Sequence, residues 1–123
     1  MPFVTINVLE NKGKEYIEKV SSTINQTVIS TMAFPEDDLY QVINEVPCDS
    51  LQYQGRKENR IMMHLVMRTG RSNKAKQEFY KEVVKNLSST VDIKPANIFI
   101  TITENHDVDF SFEGPFGTYD QMQ

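Results

Sequence analysis

The hydrophobic period along the chain switches between strand and helix spacing in two successive rounds. Residues 3–9 alternate, with Val4, Ile6 and Val8 on one side and Phe3, Thr5 and Asn7 on the other, which predicts a half-buried strand. Asn11 is placed to cap the next element, and Glu15 suits a first helical turn. From Tyr16 the apolar positions Ile17, Val20, Ile24, Val28 and Met32 recur at helical spacing. The helix should stop near Phe34, because Pro35 disfavours helical geometry in the residue before it. Residues 39–46 return to a strand composition, and residues 47–59 form a polar connection.

The second round repeats the first. Ile61 to Met67 is an apolar run that reads as a more deeply buried strand. Arg68-Thr69-Gly70-Arg71 turns the chain, and Ser72 is a good cap for a helix carrying Ala75, Phe79, Val83 and Leu87. After Pro95, residues 98–104 alternate again. The two halves, roughly 2–46 and 60–104, align at an offset of 59, which sets Leu39-Tyr40 on Ile98-Phe99 and Glu45 on Glu104. The tail from 105 to 123 is polar with spaced aromatics, Phe110, Phe112, Phe116 and Tyr119.

A helix between two strands gives a parallel pair with a right-handed crossover. Two such units predict an α+β fold, a four-stranded mixed sheet with two helices on one face, and one domain over 1–123. The second sheet face then has no helical cover, and its apolar side chains call for burial by self-association.

Composition narrows the function. The chain has 123 residues, 39% of them hydrophobic, and a net charge of −4 from 13 basic and 17 acidic side chains. That balance argues against a general nucleic-acid binder. One cysteine, Cys48, excludes an internal disulfide and a cysteine metal cluster. His64 and His106 have no spaced partner, so no metal is expected. There is no glycine fingerprint for a nucleotide, no apolar run of membrane length and no secretory pattern at the N-terminus. The expectation is a cytoplasmic, cofactor-independent protein with no nucleic-acid or membrane partner.

Pro2 behind the initiator Met, the stretch Pro35-Glu36-Asp37-Asp38-Leu39-Tyr40-Gln41, the turn Arg68-Thr69-Gly70-Arg71-Ser72 and the tail Glu104-Asn105 with Asp109-Phe110-Ser111-Phe112 occur in a telling order. In that order and spacing the chain resembles the tautomerase superfamily, with its 4-oxalocrotonate tautomerase-like (MIF-like) fold. Within it, the chain is most similar to the malonate semialdehyde decarboxylase-like family. The resemblance implies that Pro2, freed by removal of Met1, is the catalytic amine and that Asp38 assists it or activates water. It implies that Arg68 and Arg71 bind a substrate carboxylate, and that the aromatic tail, with Phe110 where the family usually carries Trp, walls the site with Phe112. It also implies a homotrimer. The decarboxylase places its first arginine where this chain has Thr69, and the spacing Arg68-x-x-Arg71 instead resembles the cis-3-chloroacrylic acid dehalogenases.

The residue types suit that chemistry. An α-amino group titrates at roughly 7.7–8.0, and apolar burial and nearby cations both favour its neutral form. A free-base Pro2 is then a general base near neutral pH, whereas a cationic Pro2 polarises a carbonyl or protonates a carbon. Arginines beside a helix N-terminus suit an anion. Alternation puts Tyr40 on the face opposite Leu39, where it either reaches the site or is ordinary core. The leading expectation is keto–enol (phenylpyruvate-type) tautomerisation of a small oxo or unsaturated carboxylic acid. Decarboxylation of malonate semialdehyde, hydration or dehalogenation is the alternative within enzymes, and an oligomeric, non-catalytic ligand-binding protein is the alternative outside them.

Overall fold

The computed structural model describes residues 2–112, so Phe116 and Tyr119 lie outside the described residues. The elements are β1 (Pro2–Leu9), α1 (Lys14–Met32), β2 (Tyr40–Val46), β3 (Ile61–Arg68), α2 (Asn73–Thr90) and β4 (Ile98–Asn105). Short 3-10 turns occupy Cys48–Ser50, Pro95–Asn97 and Asp107–Asp109. The sheet order is β2-β1-β3-β4; β1 is parallel to β2, antiparallel to β3, and β3 is parallel to β4. The two β-α-β units of the sequence are therefore joined through antiparallel central strands. Their alignment holds in space: β1 and β3 begin at Pro2 and Ile61, α1 and α2 at Lys14 and Asn73.

Strand alternation sorts the two faces. Val4, Ile6 and Val8 join Ile61, Met63, Leu65 and Met67 in one core with Val20, Ile24, Val28 and Met32 of α1 and Phe79, Val83 and Leu87 of α2. The opposite face is only partly covered. On it, Phe3, Tyr40, Val42 and Phe99 are exposed, and Met62, His64 and Val66 half-buried. β3 is thus buried on one face within this chain, less than its continuous apolar run suggests. Among the described residues no helix is long and apolar enough to cross a membrane.

The helix ends follow local chemistry. Ser72 caps α2, its hydroxyl accepting from the Ala75 N–H at 3.1 Å. α1 stops at Met32, with Ala33 in the left-handed conformation (φ 56) and its N–H on the Ile29 carbonyl. Asn11 does not cap α1. It lies in the preceding bend at φ 67, and the cap position belongs to Gly13, whose φ of 93 favours a residue without a side chain. The connection before β3 is anchored by Arg60, which is buried and donates to the carbonyls of Leu51, Glu58 and Cys48 at 2.7–2.9 Å.

Candidate active site

The strand directions bring the N-terminal ends of β1 and β2 and the C-terminal ends of β3 and β4 to one end of the sheet. The sequence-selected residues gather there. Pro2 opens β1, is buried, and pairs in register with Met67; the next residue of β3 is Arg68. Phe3 stands between Tyr40 and Val66. Asp38 is half-buried two residues ahead of β2, its N–H on the Pro35 carbonyl, while Asp37 is exposed. The start of β2 is tied to α1 by Gln41, which accepts from the Ser21 hydroxyl at 2.6 Å and donates to the Ser21 carbonyl at 3.1 Å.

The helix layer contributes opposite poles to this end. α1 finishes here and α2 begins here, so the carbonyl end of one helix and the N–H end of the other lie at the same end of the fold. Arg71 answers the first: its Nε donates to the Met32 carbonyl at 3.0 Å, and its guanidinium lies 3.8 Å from the ring centroid of Phe34. The turn before it holds its shape through Gly70, at φ 119, and through Lys76, whose ammonium meets the Glu104 carboxylate at 2.7 Å. That contact, together with the Gly70 N–H, holds the Glu104 carboxyl below the usual range.

Arg68 is tied differently. Its Nε and one Nη donate to the two carboxylate oxygens of Asp107 at 2.6 and 2.9 Å. Those hydrogen bonds and the charge of Arg68 lower the Asp107 pKa. Asp107 was not apparent from the sequence. The only pointer to it is strand register: Arg68 pairs with Asn105, so a residue just past β4 turns back on the end of β3. The contacts by which Gln41 anchors the start of β2 and Met32 and Phe34 hold Arg71 are equally beyond local spacing.

Two cavities open at this end. One, of 640 Å³, is lined by Phe3, Leu39, Tyr40, Val66, Phe110 and Phe112 among others, and lies toward the open sheet face. Phe110 is buried, and Tyr40 sits on that open face rather than in the core. The second, of 390 Å³, is lined by Arg68, Thr69, Arg71, His106, Asp107 and Val108. Aromatic and cationic candidates therefore share one end of the sheet but line separate cavities, flanking the segment that follows β4. Pro2 lines neither among the described residues; its ring is on the helix-facing side of β1 with Val4.

A paired β-α-β sheet with Pro at the first strand position defines a tautomerase-type fold. The sequence patterns of two tautomerase enzyme families match, one over residues 38–113 and the other over 2–57, and the chain belongs to the tautomerase enzymes. It is 28% identical to the probable tautomerase YusQ of Bacillus subtilis (strain 168), over 91% of this chain and 93% of that protein. In fold it is similar to FG41 malonate semialdehyde decarboxylase inhibited by 3-bromopropiolate, with a TM-score of 0.82 and 19% identity over 92% of this chain and 90% of that one. It is also similar to a fused 4-OT solved as an asymmetric trimer, with a TM-score of 0.81 and 12% identity over 91% and 93% of the two chains.

Proposed function

We propose that the protein is a cofactor-independent tautomerase whose catalyst is the amine of Pro2, released by removal of Met1. The carrying observation is the position of Pro2: first in β1, at the end of the sheet that also carries Asp38, Arg68, Arg71 and the aromatic segment Phe110–Phe112. While Met1 is attached, the Pro2 nitrogen is an amide and has no basic lone pair. Once freed, it is a secondary amine in a buried position at the sheet end that carries Arg68, and burial and positive charge both favour the neutral base.

In the proposed reaction the Nη groups of Arg71 hold the carboxylate of an enol such as that of phenylpyruvate. Pro2 takes the enol proton from oxygen and returns one to C3, so the enol becomes the 2-oxo acid with no net gain or loss of atoms. Asp38 orients the amine, and the substrate's apolar group reaches past the segment after β4 toward Tyr40, Phe110 and Phe112, which line the neighbouring cavity. The partly covered sheet face, with Phe3, Tyr40, Val42 and Phe99 exposed, supports a homotrimer that buries it. A second reading, decarboxylation or hydration of a 3-oxo or unsaturated acid, is favoured by the fold similarity to malonate semialdehyde decarboxylase and by Asp38 immediately ahead of Leu39-Tyr40-Gln41.

The test is the rate of enol phenylpyruvate ketonisation by Met-processed protein beside Pro2→Ala, with fold and assembly checked in both. Malonate semialdehyde and a haloacrylate, assayed in parallel, decide between the two readings.

A further inference from the structure

The two arginines at the candidate site are held in contrasting ways. Arg71 is fixed through Nε and the Phe34 ring, and its Nη groups make no hydrogen bond among the described residues. Arg68 presents its fork to Asp107, which fills it with both carboxylate oxygens. The pair is partly exposed, with side-chain exposures of 35% and 26%, and both members line the cavity that Arg71 lines. Asp107 is itself fixed, because the turn it opens is closed by the Phe110 N–H on the Asp107 carbonyl and by Asp109 on the His106 N–H.

The geometry assigns Asp107 as a positioning residue that sets substrate selectivity: it is a resident carboxylate in the fork of Arg68 and restricts the site to substrates bearing a single carboxylate. This rests on the proposed carboxylate site at Arg71. Two cations and one anion leave this cavity a surplus of one positive charge among these three groups. A monocarboxylate on Arg71 balances it. A second carboxylate meets a fork already filled, and must either displace Asp107, leaving that charge without its partner, or lie beside it as a like charge. Discrimination built on such a repulsion acts more strongly on the dicarboxylate than on the monocarboxylate.

Equilibrium binding to the Met-processed protein tests this with two unreactive probes, phenylacetate and phenylmalonate, which differ by one carboxylate on the same carbon. Wild type should bind phenylacetate about tenfold or more tighter than phenylmalonate, the size expected of one unfavourable charge contact near a protein surface. Asp107→Asn should tighten phenylmalonate binding about fivefold to tenfold and phenylacetate binding by a clearly smaller factor, since the lost anion repels both probes but only phenylmalonate brings a second carboxylate to the Arg68 fork. Asp107→Glu, which keeps the charge, should keep the wild-type preference. Asp107→Ser gives the same readout as Asn if the amide variant does not fold. Equal shifts for both probes, or no gain for phenylmalonate, overturn the assignment, as does wild-type protein that binds neither probe. No turnover is involved, so a protein that discriminates the probes but fails to ketonise phenylpyruvate upholds the selectivity while the tautomerase reading falls.

Discussion

The guanidinium of Arg71 stacks 3.8 Å from the centroid of the Phe34 ring while its Nε holds the last carbonyl of α1, at Met32. One residue thus closes a helix end and keeps its remaining donors turned toward a cavity. The stacking needs a flat, delocalised cation, and the carboxylate contact needs a fork; lysine supplies neither. Arg71→Lys should lower kcat/KM for a carboxylate substrate by roughly 10- to 100-fold, the worth of a charge-assisted bidentate contact. Phe34→Leu should act more gently, raising KM about two- to fivefold through the lost cation–π contact. Steady-state kinetics on both variants check the order.

Ala33 is a non-glycine residue in the left-handed conformation at the end of α1. A side chain there costs about 1–2 kcal/mol, partly offset in a glycine variant by greater unfolded-state freedom. Ala33→Gly should therefore stabilise the protein by about 0.5–1 kcal/mol in urea unfolding, without changing the m-value.

Arg60 is 3% exposed and satisfied by backbone carbonyls of Cys48, Leu51 and Glu58. Arg60→Ala would leave those carbonyls without their donor and open a void beside β3. The expected loss is about 3–5 kcal/mol, read by denaturant unfolding, with loosening of residues 48–58 seen by hydrogen exchange.

Acid should weaken the fold through a few identified carboxylates. Asp107, Glu104 and Glu58 all have lowered pKa values, caused first by the side chains of Arg68, Lys76 and Asn97 respectively. A lowered folded-state pKa means that the unfolded chain binds protons first as the pH falls. Their contribution is thus complete above the ordinary carboxylate range, about pH 4, and is lost below it as pH drops through the folded values. Asp107→Asn should flatten the stability–pH curve below about pH 4 relative to wild type, and leave its slope above pH 6 unchanged.

Periodicity carried most of the fold into the sequence. Val4-Ile6-Val8, the 3.6-residue recurrence from Val20 to Met32, and Ser72 each act locally, so pattern alone reveals them. The N-terminal cap of α1 escapes pattern alone, because Asn11 is a favoured capping residue by type, whereas the turn into the helix is set by backbone geometry at Gly13. The site was legible in part. Pro2, Arg68 and Arg71 stand out by type and place, but what holds them depends on contacts across the fold. Arg68 meets Asp107 and Arg71 meets Met32, each pair separated by 39 residues. The separation of the aromatic and cationic residues into two cavities likewise follows from which face each residue takes at the strand ends, beyond the reach of local spacing.

The most direct test of the account is the enol phenylpyruvate assay on Met-processed wild type and Pro2→Ala, with removal of Met1 verified by intact mass. The account predicts ketonisation well above the buffer rate for wild type and loss of at least about 100-fold in the variant, the scale of general acid–base catalysis. It also predicts an inactive protein whenever Met1 is retained. Equal rates for the two proteins, with their folds intact, would contradict a catalytic role for Pro2.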